Sequence, residues 1–142
     1  MKAPTGLYFE DLEIGLAKES EHHVDEAAVA LFADASGDHN PLHLDAEYAT
    51  TTQFGERIAH GMLSAAYISA LLGTEMPGAG SIYLGQTLKF RAPVKLGDTV
   101  TARVEVIALD AEKNRATIAT TCRVGETVVV KGEALILVPS RS

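Results

Sequence analysis

A chain of 142 residues has the usual size of one domain and can bury a core without disulfides or a metal. Hydrophobic residues make up 46% of it and charged residues 22%, ordinary soluble usage that indicates neither disorder nor a membrane protein. The balance of 12 Lys and Arg against 19 Asp and Glu, net charge -7, argues against a nucleic-acid surface, which needs a basic face.

The first helix is expected over residues 25–35, with Asp25 as cap, Ala28, Val29, Phe32 and Ala35 on one face, and Gly37 ending it. It delivers the chain into Asp38-His39-Asn40-Pro41-Leu42-His43. Pro41 lacks an amide donor and disfavours helical geometry at Asn40, so this segment is expected to be a turn or short loop. A short helical piece over residues 45–50 leads to His60-Gly61. Residues 62–72 are then apolar or small at every position, which predicts a helix buried on all sides and stopped by Gly73.

From Ser81 the period changes to two. Ile82, Leu84, Gln86, Leu88 and Phe90 share one face, then Val100, Ala102, Val104, Val106 and Ala108. Two further runs follow, Ala116 to Val124 and Val128 to Ile136, joined by a Gly125-Glu126 connection that only antiparallel neighbours can use. The predicted class is α+β, a long antiparallel sheet wrapped around one hydrophobic helix, in a single domain over residues 1–142. Cys122 lies in a strand-like run and reads as a small buried apolar group; alone, it allows no intramolecular disulfide. No secretory leader and no apolar run of about 20 residues is present, so the expected location is cytoplasmic and off the membrane.

Asp38 and His43 flank a turn stiffened by Pro41, where a carboxylate and an imidazole can converge on one water molecule. Together they take one proton and supply another at neutral pH. Asn40, between them, can hold the water through its amide. The bland alternative is that Asp38 and Asn40 bond the turn backbone while His43 is solvated. Gly61 opens the apolar helix, so its amide lacks an intrahelical partner and is placed to bind a developing oxyanion such as a polarised thioester carbonyl. Its bland reading is close packing at the helix start. A metal is not expected, because Pro41 prevents a stacked His39 and His43 pair and no zinc-type Cys/His spacing occurs.

Three ordered segments, Gly37-Asp38-His39-Asn40-Pro41-Leu42-His43-Leu44-Asp45, Ile58-Ala59-His60-Gly61-Met62-Leu63 and Gly80-Ser81-Ile82-Tyr83-Leu84-Gly85-Gln86, resemble the MaoC-like hot-dog family. Within it the likeness is to (R)-specific enoyl-CoA hydratases of the PhaJ type, and it extends through Arg91-Ala92-Pro93-Val94-Lys95-Leu96-Gly97-Asp98. The resemblance implies a hot-dog fold, a homodimer, and addition of water to a trans-2-enoyl-CoA giving an (R)-3-hydroxyacyl-CoA. Coenzyme A belongs to the substrate and no further cofactor is implied. It also implies a water held between Asp38 and His43 and oriented by Asn40, a thioester oxygen on the Gly61 amide, and Ser69 near the active site. Asp38 is favoured as base and His43 as proton donor. Leu72 and Leu135 are candidate walls of an acyl pocket for short to medium chains, in polymer precursor supply or fatty-acid breakdown. Arg57, Lys89, Arg91 and Lys95 are candidates for the coenzyme A phosphates.

Three rivals remain open at this stage. A 3-hydroxyacyl-(acyl carrier protein) dehydratase runs the same chemistry on another carrier. A non-catalytic acyl-CoA-binding protein would bind without turnover. A hot-dog thioesterase is disfavoured because residues 61–74 contain no acidic side chain.

Overall fold

The computed structural model describes residues 6–141. Strand β1 (Ala17–His23) precedes three helices, α1 (Glu26–Ser36), α2 (Pro41–Leu44) and α3 (Ala46–Thr50), then the long α4 (Gly61–Thr74). Five strands complete the chain: β2 (Ile82–Gln86), β3 (Lys89–Phe90), β4 (Thr99–Asp110), β5 (Arg115–Val124) and β6 (Thr127–Leu137). They form one antiparallel sheet of order β1-β4-β5-β6-β2, with β3 also paired to β6. Helix α4 packs against β4, β5, β1 and β6. This is the sheet-around-a-helix architecture expected from the change of period after Ser81.

Local chemistry sets the helix ends. Asp25 caps α1, accepting from the Ala28 amide at 2.8 Å, and Gly37 ends it at φ 80°, a left-handed conformation that glycine adopts without strain. The segment after Asp38 differs from expectation, because residues 41–44 close one helical turn instead of a loop. Pro41 sits at its first position, where a missing amide costs nothing, and Asn40 Oδ1 caps it by accepting from Leu42 N at 3.0 Å. Gly73 does not stop α4, which runs to Thr74.

The core is formed by α4 residues Ile68, Leu71 and Leu72 against Val100, Val104, Ile118 and Ile136 of the sheet. Strict alternation fails at two bulges. Between Val106 and Ala108 the register shifts, so Ala108 turns outward and Leu109 packs on the core. Between Cys122 and Arg123 a second shift buries Val129 in place of Val128. Cys122 is fully buried and its thiol is pushed up to about 12 by desolvation, which makes it a packing group.

Helix α4 is not covered all round within one chain. Met62, Ala66, Ser69, Ala70 and Gly73 form an exposed stripe, and Ile82, Tyr83, Leu84 and Phe90 are also exposed.

Candidate active site

The Gly37 turn releases the chain at Asp38, and the α2 turn carries His43 back beneath it. His43 is buried, and its Nδ1 lies 2.6 Å from the Ile58 carbonyl oxygen. A carbonyl only accepts, so Nδ1 carries the proton and Nε2 of the neutral ring presents a bare lone pair. Desolvation is the main cause that holds the pKa of His43 below its ordinary value; the Ile58 bond raises it, His60 lowers it, and Asp38 raises it. The resting imidazole is therefore neutral at pH 7. Arg57 locks this turn in place, donating from Nε to the His43 carbonyl at 2.7 Å and from Nη1 and Nη2 to the two Glu26 carboxylate oxygens at 2.6 and 3.0 Å.

A carboxylate oxygen of Asp38 and one ring nitrogen from each of His43 and His60 lie within 4.8 Å of one another. A water bonded to two groups spans up to about 5.6 Å, twice a bond of about 2.8 Å, so Asp38 and His43 are close enough to share one. Asp38 Oδ1 also accepts from the Asn40 amide at 3.1 Å, as the turn reading anticipated. That bond leaves the carboxylate with acceptor capacity to spare. The three groups are also donors of the type and number a cation uses, a convergence through His60 that spacing along the chain did not reveal. His39 turns away to Gly37 O and Asp34.

His60 is the residue that sequence reasoning undervalued. It is 2% exposed, donates from Nε2 to the Asp38 carbonyl at 3.0 Å, and rests its ring 3.9 Å from that of His43 and 4.9 Å from that of Phe32. With the proton on Nε2, its Nδ1 is a buried acceptor with no partner among the described residues. The next residue, Gly61, is the first of α4, so its amide has no intrahelical acceptor. A cavity of about 290 Å³ opens beside it, bordered by His60, Ser64, Phe90 and Arg91. A Cβ at Gly61 would stand 2.7 Å from two atoms of the Phe90 ring, so the close-packing reading of this glycine is supported.

A family model described as "MaoC like domain" matches residues 12–130. The chain is 52% identical over 134 residues to an (R)-specific enoyl-CoA hydratase of Rhodospirillum rubrum, covering 94% of this chain and 93% of that one. The chain belongs to the MaoC-like family. It is 51% identical over 135 residues to a 3-hydroxybutyryl-CoA dehydratase of Methylorubrum extorquens, covering 95% of this chain and 86% of that protein. Among solved structures, the Aeromonas caviae (R)-hydratase involved in PHA biosynthesis superposes with a TM-score of 0.89 at 48% identity, covering 92% of this chain and 99% of that one. The MaoC-like chain accordingly has the hot-dog fold and is an enzyme of the enoyl-CoA hydratase and dehydratase group.

Other expected positions fall in different places on this MaoC-like scaffold. Ser69 is exposed on an open groove of about 600 Å³ shared with Phe32, Met62 and Tyr83. Leu72, expected on an acyl pocket, is 1% exposed inside the core. Leu135 lies on the other face of its strand, because its neighbours Ala134 and Ile136 are the ones that turn inward. The two leucines therefore do not face one another. Of the four basic candidates, Arg57 is committed to Glu26 and the His43 carbonyl, and Lys95 pairs with Glu56 at 3.3 Å.

Proposed function

We propose that the protein hydrates trans-2-enoyl-CoA thioesters, with Asp38 and His43 as the catalytic pair. The observation that carries this reading is the convergence of the Asp38 carboxylate with a ring nitrogen of His43, whose Nδ1 is taken by Ile58, together with a cavity lined by His60 and Gly61. The thioester oxygen accepts from Gly61 N–H, which drains charge from the conjugated double bond. Water between the pair gives one proton to His43 Nε2 as its oxygen bonds to the β carbon. The resulting enolate is held at Gly61, and the imidazolium, stabilised by Asp38, returns the proton to the α carbon. One proton and one hydroxyl are thereby added on the same face.

This division of labour reverses the expectation in which Asp38 was the base. A histidine kept neutral by burial has a lone pair to accept with and no Nε2 proton to give first. Asp38 then orients the water and stabilises the imidazolium. Asn40 has spent its oxygen on the Leu42 amide, leaving its amide nitrogen for the water. The product configuration, (R)-3-hydroxyacyl, and the CoA carrier rest on the hydratase relatives, at about 50% identity over most of the chain. The acyl chain runs past Phe32 into the groove that contains Ser69. A second copy of the chain covers the exposed Met62, Ile82, Leu84 and Phe90, since so large an apolar surface is costly to leave in water.

Hydration of crotonyl-CoA, followed as loss of enoyl-thioester absorbance, tests the assignment. Asp38→Asn and His43→Ala are each expected to lower kcat by about 10²–10⁴-fold with an intact thermal transition. Near wild-type turnover in either folded variant overturns it.

A further inference from the structure

Lys89 and Arg91, the two basic candidates without an ion-pair partner among the described residues, border one groove together with a third cation, Lys131. Lys89 on β3 and Lys131 on β6 are direct register partners in an antiparallel pair, so both side chains leave the same face of the sheet. On the next strand Thr121 is the register partner of Lys131, which continues the row with a hydroxyl. Like charges directly opposite one another on neighbouring strands are destabilising. Here no carboxylate relieves them: among the described residues, Lys89, Arg91 and Lys131 form no ion pair. The row borders a groove of about 400 Å³ that also includes Arg91 and a single acidic residue, Glu133. In a chain of net charge -7, three cations against one carboxylate form a local reversal of sign. Arg91 borders this groove and also the cavity beside Gly61.

We infer that Lys89, Arg91, Lys131 and Thr121 bind the phosphate groups of the coenzyme A nucleotide while the thioester end of the same molecule reaches Gly61. The inference rests on the hydratase reading and locates the far end of its substrate. A phosphate placed over the row neutralises the Lys89 and Lys131 repulsion, and the Arg91 guanidinium supplies the planar fork that matches phosphate oxygens. Arg57 and Lys95 drop out, because their charges are already paired with Glu26 and Glu56.

The test compares crotonyl-CoA with crotonyl-pantetheine, which has the same reacting end and no nucleotide. Lys89→Glu combined with Lys131→Glu is expected to raise KM for crotonyl-CoA roughly 10-fold, the scale of two partly exposed charge contacts, with the loss confined to the nucleotide-bearing substrate. The difference between wild type and variant shrinks as ionic strength rises. Equal losses on both substrates, or an unchanged KM for crotonyl-CoA, overturn the inference. A defect seen only with crotonyl-acyl carrier protein also overturns it, assigning the row to carrier docking. If the wild type turns over neither thioester, the hydratase reading fails by itself. Calorimetric titration with coenzyme A then reports on the groove directly: weaker binding by the variant supports the inference, and equal binding overturns it.

Discussion

Replacing His60 by Phe is expected to separate stability from activity. The change removes the 3.0 Å bond to the Asp38 carbonyl and keeps an aromatic ring against His43 and Phe32. A lost hydrogen bond of this kind costs about 0.5–1.5 kcal/mol net, whereas eliminating a buried, unpartnered acceptor such as Nδ1 recovers about 1–3 kcal/mol. The two offset, so the melting temperature stays level or rises slightly. Activity follows a different balance. Once its carbonyl is released, Asp38 shifts relative to His43, and a displacement of about 1 Å in a reacting group costs up to about 10²-fold in rate, or about 2.7 kcal/mol at about 1.36 kcal/mol per tenfold. His60→Gln, whose side-chain amide restores a donor, recovers most of the kcat. Steady-state hydration of crotonyl-CoA and thermal melts on the same samples give both quantities. Full kcat in His60→Phe, or a parallel fall of kcat and melting temperature in both variants, refutes this account of His60 as a positioning residue.

The pH dependence follows from the burial of His43. Its folded pKa lies below the ordinary 6.5, so on acidification the unfolded chain takes up that proton first. The stability associated with neutral His43 is complete above about 6.5 and is lost as pH falls below it. Melts between pH 7.5 and 5 are expected to decline, with a shallower slope in His43→Gln; His22, also lowered by burial, leaves a residual slope. The acid limb of kcat/KM has its midpoint below 6.5, and a midpoint above that value contradicts His43 as the neutral base. Gly132→Ala places a Cβ 1.7 Å from the Thr87 carbonyl oxygen. Neither backbone can yield cheaply, so denaturant titration is expected to show a loss above about 3 kcal/mol, beyond ordinary overpacking; an unchanged midpoint contradicts the β6 register. Leu84→Lys puts a charge on the exposed apolar face, and light scattering is expected to show the mass falling from two chains to one. An unchanged mass places the subunit contact elsewhere.

Features governed by near neighbours were legible in the sequence. The Asp25 cap and Gly37 end of α1, the period of two after Ser81, and the Gly125 turn depend on residues a few positions apart, and each appears where expected. So does the closeness of Asp38 and His43, which a five-residue spacing nearly imposes. Even there, reading Pro41 as a helix breaker missed that it opens a helical turn.

Tertiary structure decided the chemistry of that pair. His43 owes its tautomer to a carbonyl fifteen residues away, and Asp38 owes its backbone position to a histidine twenty-two residues away. The ion pairs of Arg57 with Glu26 and of Lys95 with Glu56, and the register that leaves Lys89 opposite Lys131, likewise join distant parts of the chain. Local periodicity reports which face of an element is apolar. Proton placement and charge pairing depend on what that face meets, and for this protein only the folded sheet and its central helix bring those groups together.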